Sequence, residues 1–168
     1  DLLSWKRDLK KDLETLEILH DIMAFVTPDK DLKLQKLIEV IENKIKNPIN
    51  PGNRKVLIFS AFADTTNYLY ENLSKLMLDK YGIHSARIQG AQKGNATNVS
   101  GSNETDRLLT LFSPISKERS QTYTEDEGID IDLLIATDCV SEGQNLPFTI
   151  VFYIKTPRFF NITNPGIF

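Results

Sequence analysis

The sequence predicts an α/β domain with three layers, in which a parallel β-sheet forms the middle layer and two amphipathic helices precede it. Short apolar runs bounded by polar turns are typical of strands buried on both faces, and they occur at residues 56–59, 131–137 and 149–154. A helical segment connects the first of these runs to a further strand at 83–88, which is the order of a βαβ unit. Residues 1–50 have helical periodicity instead. We therefore expect at least four parallel strands.

Composition limits the class of protein. The chain has 168 residues with 40% hydrophobic content, which is enough for one ordinary core. Its net charge of -3 argues against a strongly basic nucleic-acid module, although a local basic groove remains compatible with it. No apolar run approaches the roughly 20 residues of a membrane span, no signal peptide is recognisable, and Cys139 is the only cysteine. We expect a cytoplasmic protein with no membrane partner and no metal site of its own.

The first fifty residues predict two helices. The first runs from Leu2 to about Val26, and Asp31 caps the second, which ends before Pro48. The apolar stripe of the first helix is Leu2, Trp5, Leu9, Leu13, Leu16, Leu19 and Met23, and that of the second is Leu34, Leu37, Ile38, Ile41 and Ile45. We interpret residues 1–50 as a helical lead-in packed on a core that begins later, and residues 51–168 as the main domain.

Local signals predict the remaining elements. After the strand 56–59, side chains at 64–66 are candidate caps of a helix that ends at Gly82 in the left-handed conformation. Residues 91–103 have almost no apolar content and predict a mobile surface loop, and Asn103 then caps a short helix that ends at Phe112. The acidic run within 125–132 lacks the ligand spacing of a calcium loop, so a solvated turn is the favoured interpretation.

The sequence contains neither of the common glycine-rich phosphate loops, and no Ser-His-Asp or paired-carboxylate arrangement follows from spacing. The most informative stretch is 132–146, where a buried strand gives way to a polar turn. Ligands in open α/β sheets bind just past the carboxyl ends of strands, which makes this turn a candidate site.

Four landmarks in this chain resemble superfamily 2 helicases and translocases. Residues 135–146, Ile-Ala-Thr-Asp-Cys-Val-Ser-Glu-Gly-Gln-Asn-Leu, are similar to motif V, in the form found in Swi/Snf-type ATPases and the bacterial RNA-polymerase-associated translocase. Residues 55–62, Lys-Val-Leu-Ile-Phe-Ser-Ala-Phe, with the preceding helix at 33–37, resemble motif IV. Residues 87–90, Arg-Ile-Gln-Gly, and 107–112 resemble a strand ending in glycine and a helix ending in Phe.

The resemblance implies a fold and a set of contacts. It implies a second, C-terminal RecA-like lobe, with a nucleotide clamped between two lobes and nucleic acid lying across both. By position it implies ATP binding and coupling for Glu142, Gly143 and Asn145. It implies nucleic-acid contacts, mostly to backbone phosphates, for Ser60, Phe62, Arg87, Gly90, Thr137 and Ser141. Each of these residues also has a plain structural interpretation as a cap, a turn or a solvated side chain.

The chain also departs from the family. Motif VI, Gln-x-x-Gly-Arg-x-x-Arg, which supplies the arginines that stabilise charge on the γ-phosphate, is absent from residues 51–168, and the phosphate loop of a first lobe is absent as well. We therefore expect no catalytic residue and no tightly bound cofactor in these 168 residues, with ATP and Mg bound only when the first lobe is present.

The expected function is that of a C-terminal helicase lobe, coupling ATP hydrolysis to movement on nucleic acid, with duplex DNA favoured and the N-terminal RecA-like lobe as partner. By itself this chain should not hydrolyse ATP. A non-catalytic RecA-like α/β interaction module is the alternative, and a small-molecule enzyme on a flavodoxin-like sheet is a third interpretation without a cofactor motif to support it.

Overall fold

A computed structural model describes residues 2–90, 93–100, 103–137 and 150–154. Five helices, α1 to α5, lie in these residues at Leu2–Ala24, Leu32–Lys46, Ala63–Tyr81, Thr105–Phe112 and Arg119–Thr122, with a 3₁₀ turn at Thr124–Asp126. Five strands, β1 to β5, lie at Val56–Ser60, Ser85–Ile88, Asn95–Ala96, Leu133–Thr137 and Ile150–Ile154. No described helix is long and apolar enough to cross a membrane.

The strands form one sheet in the order β3-β2-β4-β1-β5. Four of them, β2, β4, β1 and β5, are parallel, and β3 pairs antiparallel with β2 at the edge. The prediction of at least four parallel strands is confirmed. Strand β1 lies between β4 and β5 and all five of its residues are buried, as its continuous apolar run predicts.

Helices pack on both faces of the sheet. Alternate residues of the strands, such as Ile58 and Ile135, pack against α2 and α3 on one face, where Leu37 and Leu73 are each at most 2% exposed. Residues of opposite parity, such as Leu57 and Leu134, pack against α4 on the other face. This alternation follows from the two-residue period of a strand, and it gives the expected three layers.

Asp31 caps α2 as predicted. Its carboxylate accepts hydrogen bonds from the backbone N–H groups of Lys33 and Leu34, and its second oxygen accepts one from the Tyr68 hydroxyl at 2.9 Å. The same residue thus begins one helix and links it to the next.

Two other predicted caps are wrong. Helix α3 begins at Ala63, after Phe62, so that Asp64 and the buried Thr65 and Thr66 lie inside its first turns. Helix α4 follows Glu104. The Asn103 side chain instead accepts a hydrogen bond from Arg107 within the helix. The residues that precede the two helices, Phe62 and Glu104, form no side-chain cap hydrogen bond.

The predicted helical lead-in is correct for α2 only. Helix α1 is formed where the periodicity predicts it, but its large apolar side chains between Leu2 and Ile22 are from 51% to 86% exposed. An apolar stripe shows that a helix needs a partner surface, and it does not show where that surface is. The body of the domain does not provide it.

The predicted mobile loop at 91–103 is partly structured. Gly94 and Asn103 exchange backbone hydrogen bonds of 2.8 and 2.9 Å, and β3 pairs with β2. The Thr97 hydroxyl accepts a hydrogen bond of 3.0 Å from the Ser85 backbone N–H. Backbone pairing, the Thr97 hydroxyl and the packing of Ala96 and Val99 against the core therefore hold a segment with few apolar residues.

The acidic run is only partly solvated. Glu125 and Glu127 are exposed as expected, but Asp126 is 1% exposed and forms two hydrogen bonds of 2.6 Å with Arg107. Asp132 pairs with Arg54 and Lys55, each at 3.2 Å. These ion pairs attach the run to the sheet and to α4.

Candidate nucleic-acid interface

The predicted site residues that lie within the described ranges converge at one end of the sheet. Because β2, β4 and β1 are parallel neighbours, their carboxyl ends meet, with Ser60 opposite Thr137 and Ile88 opposite Ala136. We call this end of the sheet, with the residues that directly follow β1 and β2, the carboxyl edge. The end of an open parallel sheet is the usual place for a ligand.

Thr137 and Gly90 are in direct contact at the carboxyl edge. The Gly90 backbone N–H donates a hydrogen bond of 3.1 Å to the Thr137 hydroxyl, although 47 residues separate the two. Gly90 is exposed and has a φ of 55°, a left-handed conformation that glycine adopts without steric cost. The Thr137 hydroxyl thus fixes the turn that follows β2.

Ser60 lies in the interior rather than on the surface of this edge. It is 1% exposed, and its hydroxyl accepts a hydrogen bond of 3.3 Å from the Phe62 backbone N–H. Phe62 itself is 41% exposed and immediately precedes α3. The serine therefore shapes the turn, whereas the aromatic ring of Phe62 is the part of this segment that is exposed to a ligand.

A polar network joins β2 to the first turns of α3. Arg87 is half-buried, donates a hydrogen bond to the Asn67 side-chain oxygen, and has its guanidinium 5.5 Å from the centre of the Tyr70 ring. Gln89 donates to the same Asn67 oxygen and to the Ala63 carbonyl, both at 2.8 Å. Burial raises the pKa of the Tyr70 hydroxyl, and the nearby Arg87 charge opposes that rise.

Asn67 and Gln89 are members of this network that sequence reasoning missed. Gln89 lies inside the Arg-Ile-Gln-Gly stretch, so its position next to a predicted site residue could have identified it. Nothing in the sequence around Asn67 could have identified that residue, because its contact with β2 depends on how α3 packs across the sheet.

Arg87 differs from the other arginines in its electrostatics. Among the described residues, Arg7, Arg54, Arg107 and Arg119 each lie within 4.0 Å of a carboxylate. Arg87 has only neutral partners in that part of the chain, namely the side-chain amide oxygens of Asn67 and Asn95 and the Tyr70 ring. A half-buried guanidinium without a carboxylate can pair with an incoming anion, and its planar fork suits a phosphate.

The other predicted site residues, Ser141, Glu142, Gly143 and Asn145, lie outside the described residues, as does Cys139. Within the described ranges, no group of three or more His, Cys, Asp or Glu side chains is arranged to hold a metal ion. The site that the structure describes is therefore a set of hydrogen-bonding groups and one cation.

Comparisons with protein-family models, with curated proteins and with solved structures gave no significant match for this chain.

Proposed function

We propose that this chain is the second RecA-like lobe of an ATP-dependent translocase or helicase that moves on duplex DNA. The observation that carries the proposal is the convergence of the landmark residues of three separate segments on the carboxyl edge. Thr137 and Gly90 are hydrogen-bonded there, and the buried Ser60 lies opposite Thr137 in the sheet. The motif resemblance requires this convergence, and the carboxyl end of an open parallel sheet is the usual place for a ligand.

The electrostatics of the edge support contact with a phosphate backbone. Arg87 offers a positive charge without a carboxylate partner among the described residues, and the exposed Gly90 turn lets another backbone approach closely. Contacts of this kind position a protein on nucleic acid without reading its bases. The proposed activity, movement along DNA, requires contacts that do not depend on sequence.

ATP hydrolysis would require a first lobe carrying a phosphate loop. In this proposal Glu142, Gly143 and Asn145 face the nucleotide between the lobes, and Mg accompanies the nucleotide. The chain alone should have no ATPase activity, with or without DNA, and robust DNA-stimulated turnover would contradict the proposal.

DNA binding is the first prediction. Fluorescence anisotropy with a labelled duplex should show affinity that falls steeply as salt rises from about 50 to 200 mM, because phosphate contacts release counterions. Arg87→Gln should reduce the slope of log affinity against log salt by about 1 and weaken binding. The glutamine retains a donor for Asn67, so the fold should persist, as a thermal midpoint can verify.

Lys46→Gln is the matched control. It removes one positive charge from an exposed side chain that pairs with Glu42 at 3.9 Å, outside the landmark segments, and it should leave the salt slope unchanged. Equal effects of the two substitutions would mean that only net charge matters and would count against the carboxyl edge as the contact surface.

One observation favours the alternative of a non-catalytic interaction module. Ser60, Thr137 and Arg87 all have partners within the domain, so each can be explained by structure alone. Absence of DNA binding by the intact chain at about 50 mM salt, where phosphate contacts are strongest, would favour this alternative.

A further inference from the structure

Helix α1 is a long amphipathic helix whose apolar side is exposed to solvent. It has 23 residues, and Trp5, Leu9, Leu16 and Leu19 are from 51% to 72% exposed. An exposed apolar patch of this extent is unusual for a monomer and marks a surface that another molecule covers. Most of the stability of a helix in a protein comes from packing its apolar face against a partner surface.

The apolar residues of α1 follow a heptad pattern. Leu2, Trp5, Leu9, Leu16 and Leu19 occupy successive a and d positions, the seam along which two helices pair in a coiled coil. Asp12 interrupts the seam near its middle. A polar residue at such a position lowers stability but restricts the register of pairing. The occupant that fits this seam is another helix with the same repeat.

The charges of α1 are divided between its two halves. Residues 2–12 carry four cationic side chains, Lys6, Arg7, Lys10 and Lys11, against two carboxylates, Asp8 and Asp12. Residues 13–26 carry three carboxylates, Glu14, Glu17 and Asp21, and no lysine or arginine. Parallel pairing of two copies would therefore place like charges together, whereas antiparallel pairing places each basic half beside an acidic half.

We propose that α1 is a dimerisation helix that pairs antiparallel with α1 of a second copy of this chain. In the register that sets Leu9 opposite Leu19, the basic stretch 6–11 of one copy lies level with the acidic stretch 17–22 of the other. The attraction between these oppositely charged halves sets orientation more than affinity. The buried leucines supply the affinity. The proposal does not depend on the function proposed above.

A lipid surface is the competing occupant of an amphipathic helix with a tryptophan. Interfacial helices owe much of their binding to basic residues that attract anionic lipids. The C-terminal half of α1 is acidic and would be repelled by such a surface, so the observations favour a second copy.

Sedimentation equilibrium of the full chain over a wide concentration range tests the proposal. A monomer–dimer equilibrium is expected, and Leu19→Glu should raise the dimer dissociation constant at least about tenfold, because each dimer then buries two carboxylates in place of two leucines. Ile18→Glu is the matched control. Ile18 is adjacent and 61% exposed but lies off the seam, so its substitution should change the dissociation constant little.

Orientation is tested by disulfide trapping in a Cys139→Ser background. Antiparallel pairing brings residue 6 of one copy near residue 20 of the other, so a mixture of Lys6→Cys and His20→Cys chains should cross-link between the two variants. Efficient cross-linking of Thr15→Cys chains to His20→Cys chains, which are neighbours only in a parallel pair, would indicate parallel pairing and overturn the proposed arrangement.

Three further outcomes would overturn the proposal. The first is a chain that stays monomeric at every concentration. The second is a monomer that floats with vesicles of phosphatidylcholine and phosphatidylglycerol, which would assign the helix to lipid. The third is a lower thermal midpoint of the domain for Leu19→Glu than for Ile18→Glu at a concentration where the chain is monomeric, which would show that α1 packs on its own domain.

Discussion

At the scale of single residues, we expect the largest changes in the free energy of unfolding from buried side chains whose partners are distant in sequence. Asp126 is one of these, since Arg107 lies 19 residues earlier and donates to both of its carboxylate oxygens. The hydrogen bonds from Arg107 hold the pKa of Asp126 below its ordinary value. A carboxylate with a lowered pKa stabilises the fold above its unfolded pKa of about 3.9, and this stabilisation is lost as the pH falls through the folded pKa.

Removing Arg107 should be costly because it leaves a buried carboxylate without a partner. We expect Arg107→Met to lower the free energy of unfolding by about 3 kcal/mol at neutral pH, as measured by urea denaturation. Asp126→Asn should make the loss of stability below about pH 4 shallower than in the wild type. The double substitution Arg107→Met with Asp126→Leu should recover much of the loss, and a double variant no better than Arg107→Met would contradict this interpretation.

Gly94 has a steric rather than a conformational role. An added Cβ would lie 2.6 Å from the Arg87 carbonyl oxygen and would also overlap the Leu108 side chain. Gly94→Ala should therefore destabilise the domain by about 1–3 kcal/mol in the same denaturation experiment. Gly52→Asn is the comparison, because Gly52 faces open space and its left-handed backbone suits asparagine. Equal stability of Gly94→Ala and the wild type would show that β3 does not pack as described.

At the scale of elements, the features that could be predicted from the sequence are those that depend on residues close together in the chain. The continuous apolar run of β1 and the Asp31 cap of α2 both depend on neighbouring residues, and both are confirmed. The contact between Thr137 and Gly90 could not be predicted, because two elements must first pack before the pair exists. Two wrong predictions have the same cause. The burial of Asp126 depends on Arg107 in another helix, and the apolar stripe of α1 did not show which surface would cover it.

The cap of α2 allows a test of how one residue links two helices. Asp31→Ala should cost about 1–2 kcal/mol of stability, since it removes the cap and also the hydrogen bond from Tyr68. Tyr68→Phe removes only the second contact and should cost about 0.5–1.5 kcal/mol. A double-mutant cycle measures the coupling, and complete additivity would show that Asp31 and Tyr68 act independently.

At the scale of the whole molecule, the buried apolar residues of the core all come from the stretch of chain from α2 to β5, and none of those described comes from α1. Removing residues 1–27 should therefore leave the free energy of unfolding of the monomer within about 0.5 kcal/mol of the full chain. Urea denaturation at low protein concentration measures this difference. The shortened chain should also be monomeric at concentrations where the full chain forms dimers. A large loss of stability in the shortened monomer would contradict the exposure of α1.

The order of the strands also determines when this domain can fold. Val56 of β1 is in register with Leu133 and with Ile150, so this interior strand pairs only with segments that are synthesised long after it. Such non-local pairing slows folding, because a long loop must close before any contact stabilises the chain. Until both neighbours emerge from the ribosome, the four apolar side chains that begin β1 remain uncovered, and the nascent chain is most prone to aggregate during that interval.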